Sequence, residues 1–211
     1  MAVYPLGLLS PDKPEQQSLI DYSLKWLEKT GTRNWCGYSF SWAASIYARA
    51  KQADQAASML KIFASNFCSI NSFHLNGDQK GGQYSSFTYA PFTLEGNFAF
   101  AQGIHEMLLQ SYNGYIEVFP AIPNTWKSLS FKHLRTEGAF LVSAKMENGN
   151  LTKIEITASE NNLLVLKIPF TNWNVQGILR STITDNGNNI WSVHLKKGQK
   201  IIFTPATEKK S

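Results

Sequence analysis

The residues best placed for chemistry lie in one run, Pro91-Phe92-Thr93-Leu94-Glu95-Gly96-Asn97-Phe98, just ahead of a helical pattern. Glu95 is a carboxylate near a helix N-terminus, where the dipole favours negative charge. Residue type alone favours a loop carboxylate, because perturbed site carboxylates are a minority. Asn97 reads as the N-cap of the next helix, a role compatible with orienting Glu95. His74 lies in an aromatic loop upstream and is, of the four histidines, the one best placed to meet a ligand. His105 falls inside a helix, and His133 and His194 fall in the second half and look structural. No cluster has metal-ligand spacing, and neither metal nor cofactor is expected.

These residues need elements to hold them. Apolar residues recur at helical spacing from Leu19 to Leu27, with Gly31 as a stop and Ser10 or Asp12 as a cap. Similar patterns predict helices from about Tyr38 to Arg49, Ala53 to Phe67 and Phe98 to Gln110. Between the last two, residues 71–94 hold several glycines and aromatics, the signature of an ordered, functional loop. After Gly114 the period changes to two. Strands are expected at 116–119, 139–144, 151–156, 163–168, 190–195 and 200–203, with Asn148-Gly149 and Asn186-Gly187 as hairpin turns. The boundary falls near Asn113: residues 1–113 form a helical region and residues 114–211 a small antiparallel β-sandwich. The helices fit either a repeat array or the tail of an α/α toroid. No internal period supports the array, and four helices alone leave apolar faces open.

Composition sets limits on function. The chain has 211 residues, 43% hydrophobic and 17% charged, which is globular rather than disordered. Its net charge is +5, but the basic residues are scattered, so no nucleic-acid surface is expected. No stretch reaches the length of a membrane span, and the N-terminus lacks a signal-peptide pattern. Aromatics make up 13%, and these serve both cores and sugar-binding surfaces. Cys36 and Cys68 either pair or remain buried thiols; the frequency of cysteine burial favours thiols.

The ordered set of motifs resembles glycoside hydrolase family 95, the α-L-fucosidase-like enzymes. Pro91-Phe92-x-x-Glu95-Gly96-Asn97-Phe98 followed by Gly103-Ile104-x-Glu106-Met107-Leu108-Leu109-Gln110-Ser111 is similar to the family's last toroid helix. Pro120-Ala121-x-Pro123-x-x-Trp126 and Leu134-Arg135-x-x-Gly138-x-Phe140-x-Val142 resemble its passage into a C-terminal β domain. Upstream, Ala2-Val3-Tyr4-Pro5-Leu6 resembles the segment just after the family's Arg-His-x-Ser-His stretch. Gly37-Tyr38-Ser39-Phe40-Ser41-Trp42 resembles its Gly-Trp-Ser-x-x-Trp helix opening, with Tyr38 for the usual Trp.

The resemblance implies α+β multidomain architecture: the last helices of a six-hairpin α/α toroid, then the sandwich. It implies hydrolysis of α-L-fucosides or α-L-galactosides with inversion, which needs an acid on one face of the sugar and an activated water on the other. Glu95 would be the base-side carboxylate, standing where the family's Asp-Gly-Asn-Phe motif has Asp. The extra methylene moves that carboxylate by roughly 1 Å, and misplacement on that scale can cost about 10²-fold in rate. Tyr38, Asn97 and His74 are the expected substrate-binding residues, and Trp35 and Trp42 flank the same opening. The expected partner is a fucosylated oligosaccharide or glycan. The general acid and the water-holding Asn residues lie upstream of Met1 in the family pattern, so the chain is expected to be inactive alone. The full-length enzymes would be periplasmic or secreted. Open helical faces would favour self-association. Two other readings are an accessory carbohydrate-binding module presenting Trp173 and Trp191, and a helical interaction scaffold.

Overall fold

In the computed structural model, which describes residues 2–206, the chain forms two compact units. One holds the residues up to Met107 together with Pro120–Pro123, and the other holds Leu108–Phe119 and the residues from Asn124 onward.

The helical unit starts with α1 (Pro14–Thr30), which has proline at its first turn, where a missing N–H costs nothing. Neither expected cap is used. Lys13 holds the N-cap position without a side-chain bond, while the Ser10 hydroxyl accepts the Asp12 N–H at 3.3 Å. Gly31, at φ 72°, ends the helix. Helices α2 (Gly37–Arg49), α3 (Ala53–Asn66) and α4 (Glu95–Leu108) complete the set. Phe40, Phe63 and Phe67 form their aromatic core, with Phe100 of α4 stacked 5.5 Å from Phe63. Gly103 lets α4 pass close to its neighbours: a Cβ there would lie 3.0 Å from Leu60 and 3.4 Å from Ala44.

A buried ion pair ties this unit together. Arg49 donates from Nε and Nη2 to the two Glu106 carboxylate oxygens at 3.0 and 2.9 Å. Its Nη1 donates to the carbonyls of Val3 and Pro5, both at 3.1 Å. The guanidinium also lies 4.9 Å from the Tyr4 ring. A buried charge pair is tolerated when the remaining donors are also satisfied, and here Arg49 spends them on backbone. Cys36 and Cys68 are free and partly buried.

Among the described residues, the β unit contains ten strands: β1 (Leu109–Gln110), β2 (Ile116–Val118), β3 (Leu129–Thr136), β4 (Phe140–Glu147), β5 (Asn150–Ala158), β6 (Asn162–Lys167), β7 (Trp173–Gln176), β8 (Thr184–Asp185), β9 (Ile190–Leu195) and β10 (Lys200–Pro205). They form two five-stranded sheets, ordered β1-β2-β6-β9-β8 and β3-β4-β5-β10-β7. One core joins Val142, Ile154 and Ile156 of the second sheet to Leu164, Leu166 and Val193 of the first. The expected sandwich is not wholly antiparallel: β2 and β6 run parallel, with Ile116 opposite Leu166. The long excursion through β3, β4 and β5 between them makes a parallel pairing possible. The segment Leu109-Gln110, expected as the end of α4, pairs instead with Val118 and Glu117.

Candidate active site

Helix α4 begins at Glu95, three residues before the expected start, and this changes the role of Asn97. Asn97 is not the N-cap. From inside the first turn its Oδ1 accepts the His74 backbone N–H at 2.8 Å, and its Nδ2 donates to the Ser72 carbonyl at 2.8 Å. The two ends of one amide thus clip the loop at 72–74 onto the start of α4. The structure spends this side chain on backbone rather than leaving it open toward solvent.

The loop is built by more such bonds. Residues 76–78 run against 87–91, with Asn76 N–H to Pro91 O at 3.2 Å, Gly77 N–H to Tyr89 O at 2.9 Å and Asp78 N–H to Phe87 O at 2.7 Å. Gly77 is required here, since a Cβ would lie 2.7 Å from the Tyr89 nitrogen. Asp78 is the hub. Although buried, it accepts the backbone N–H groups of Lys80 at 2.8 Å and Tyr84 at 2.9 Å, and the Asn66 amide at 3.2 Å. Burial alone would push its carboxyl up; the Tyr84, Lys80 and Asn66 donors outweigh that and hold it below the usual carboxylate range.

Glu95 and Tyr38 are both exposed, each at the start of its helix. Gly37 and Gly96, the residues beside them, both press against the His74 ring. The structure therefore brings three of the expected site residues, Tyr38, Glu95 and His74, to one place, and attaches the fourth, Asn97, to the His74 backbone. It does not put them all on the surface. His74 is fully buried, and its Nδ1 lies 2.6 Å from the Thr93 carbonyl and 2.9 Å from the Thr93 hydroxyl. A ring sealed at 0% exposure does not touch substrate, so its expected role as a direct sugar ligand is corrected. Burial lowers its pKa; the Thr93 bond and the Glu95 charge act in the opposite direction.

Around the site, Phe73 and Phe92 are exposed and meet edge to face at 5.0 Å. Trp35, by contrast, packs against Phe40 at 5.1 Å as part of the core. In the β unit, Trp173 is 4% exposed and lies in the core, with Trp191 edge-on at 5.1 Å and Arg180 stacked over its face at 3.7 Å. Trp173 is therefore not presented to glycans, contrary to the accessory-module expectation. Among the described residues, no group of three or more His, Cys, Asp or Glu could hold a metal. No described helix is long and apolar enough to cross a membrane.

Sequence reasoning missed Asp78 and Thr93. The signal for Asp78 was slight: an acid between Gly77 and the Gly81-Gly82 pair suits a turn-making side chain.

Comparison with known proteins gives the family. Residues 1–108 match the model of the glycosyl hydrolase family 95 catalytic domain, and residues 110–210 match that of the glycoside hydrolase family 95 C-terminal domain. Both matches are to sugar-cleaving enzymes. The chain belongs to glycoside hydrolase family 95. It is similar to Alpha-L-fucosidase 2 of Arabidopsis thaliana, with 29% identity over 162 residues. That match covers 75% of this chain and 18% of the relative, so the chain spans less than a fifth of the relative's length.

Proposed function

We propose that this chain carries the base-side wall of an inverting α-L-fucosidase-type site, with Glu95 as its carboxylate, followed by the family's C-terminal β domain. The observation that carries this reading is an exposed carboxylate at the first residue of α4, held by a clipped loop, in a chain of this family. In inversion a carboxylate on one side of the sugar helps activate water while an acid on the other protonates the leaving oxygen. Glu95 takes the first role. It acts on the water that family Asn residues hold, and the added methylene relative to Asp bears on rate or on the choice between L-fucose and L-galactose. Tyr38 packs against the sugar from the neighbouring helix start.

In this reading the acid is the upstream Glu of the family pattern. The buried carboxylates of the helical unit, Asp78 and Glu106, are committed to Asn66, to loop backbone and to Arg49. Neither is available to protonate a leaving group. The four helices fit one part of an α/α toroid, and these 211 residues by themselves are expected not to turn over aryl α-L-fucoside or 2′-fucosyllactose. Clear turnover, lost in Glu95→Gln, would move both carboxyl roles into this chain.

The direct test is a fucose titration of the 15N-labelled chain. L-fucose should shift the amide resonances of Gly96, Glu95 and Tyr38, D-glucose should not, and Glu95→Ala should weaken the response. Shifts confined to residues 108–206 would favour an accessory glycan-binding module instead.

A further inference from the structure

His74 is fully buried, yet its Nε2 finds no hydrogen-bond partner. Its Nδ1 faces a carbonyl, that of Thr93, at 2.6 Å. A carbonyl oxygen only accepts, so Nδ1 carries the proton and Nε2 carries a bare lone pair. The ring is flanked closely on two sides. A Cβ on Gly37 would come 2.7 Å from ring atom Cδ2, and a Cβ on Gly96 would come 2.6 Å from Cε1. Both positions are the starts of helices, α2 and α4, where backbone N–H groups carry positive partial charge. Phe63 of α3 closes a third side, tilted at 5.1 Å. The ring thus fills a slot that exists only because both flanking residues lack a side chain.

We propose that His74 is a positioning residue: a neutral, Nδ1-protonated imidazole wedged between two helix starts, which sets the separation between Tyr38 and Glu95. The proposal rests on the reading of Glu95 as the site carboxylate. Three features distinguish this from ordinary core filling. The ring touches the two glycines directly next to the two exposed site residues. Its backbone N–H is held by Asn97 of α4, so main chain and side chain of one residue register on the same helix. Its Nδ1 bonds Thr93, two residues before Glu95, which fixes the approach of the chain to the helix. A phenyl ring would fill the slot but leave the Thr93 carbonyl without its donor.

Protonation would undo the arrangement. An imidazolium would aim a second N–H at the N-terminal end of α2, where no acceptor stands. The titratable groups around the ring are Glu95 on α4, Cys68 across the β-bridge, and Cys36 and Tyr38 on either side of Gly37. A histidine kept neutral by burial favours the folded arrangement at and above its ordinary value. That contribution fades as pH falls below about 6.5 toward the lower folded value.

The test uses the 15N-labelled full chain. A long-range proton–nitrogen spectrum at pH 7 should give His74 the pattern of a neutral ring protonated on Nδ1. The Nε2–H tautomer, or a charged ring at pH 7, would overturn the proposal. In His74→Phe, which keeps a ring in the slot but loses the bond to the Thr93 carbonyl, and in His74→Asn, which keeps a donor for that carbonyl but empties the slot, the amide resonances of Tyr38 and Glu95 should both move, and move together. Unmoved resonances in a folded His74→Phe would refute it. If His74→Phe does not fold, the wild-type tautomer and the His74→Asn resonances decide. Neither measurement uses sugar, so failure of L-fucose to bind would count against the site reading and leave the role of His74 decided by these spectra.

Discussion

The loop at 67–94 and the β unit reach order by opposite routes. The β unit is held by apolar alternation: Val142, Ile154 and Ile156 face inward from adjacent strands and share one core with Leu164 and Leu166. The loop buries little that is apolar. It is ordered by Asp78, Asn97 and Thr93, each bonded to backbone or to a buried ring. Polar networks of this kind fix a unique geometry but fail sharply when one member is lost, because the partner is left buried and unsatisfied. The candidate site sits on the polar side of this division.

The largest expected effect is at the ion pair. Glu106→Ala leaves Arg49 buried without its counter-charge and should cost about 3–5 kcal/mol, read as lost amide-exchange protection in α2 and α4. Protection in β4 and β5 should stay; an equal drop there would break the contrast between the two regions. The converse is Ile156→Ala, at about 2–5 kcal/mol, with the loss confined to the strands. A smaller effect, about 1–3 kcal/mol, is expected for Asp78→Asn, localised to the loop amides of Lys80 and Tyr84. Its pH dependence has a definite sign. The Asp78 carboxyl lies below its ordinary value of 3.8, so it favours the folded loop fully above that value and stops doing so as pH falls through the lower folded value. The difference between wild type and Asp78→Asn should therefore be full at neutral pH and vanish in strong acid.

Two surface changes should alter stability by no more than about 0.5 kcal/mol. Glu95→Gln is one, since its carboxylate is exposed; a large loss would mean that the site carboxylate is structural. Trp26→Lys is the other. Leu19, Tyr22 and Trp26 form an outward apolar stripe on α1, at 56, 68 and 59% exposure, and we propose that it drives self-association. Light scattering should report a smaller particle for the variant than for wild type.

The apolar alternation that builds the β unit is also what made it readable: the strand patterns at 139–144, 151–156 and 190–195 fall on β4, β5 and β9. Strand β3 was not readable because it carries a bulge between Phe131 and Leu134, with His133 at φ 55°, and one extra residue there breaks the period. The start of α4 was hidden for a different reason. Gly96-Asn97 has poor helix propensity, and what makes it helical is tertiary: Asn97 bonds to the loop and Gly96 packs on a ring. Glu95 was singled out through the family motif, and its role as the site carboxylate is the reading proposed above. The burial of His74 was not, because nothing local marks a histidine so far along the chain from Gly96 as that glycine's contact.

Gly103 gives the site a pivot. It is the point of close approach where α4 crosses α2 and α3, and it lies eight positions along the helix from Glu95. At 1.5 Å per residue that is a lever arm of about 12 Å. A tilt of about 5° at the crossing, of the kind a larger side chain would force, swings the carboxylate by about 1 Å, a displacement on the scale that can cost about 10²-fold in rate. The aim of Glu95 is thus set partly by a residue with no side chain, two turns away.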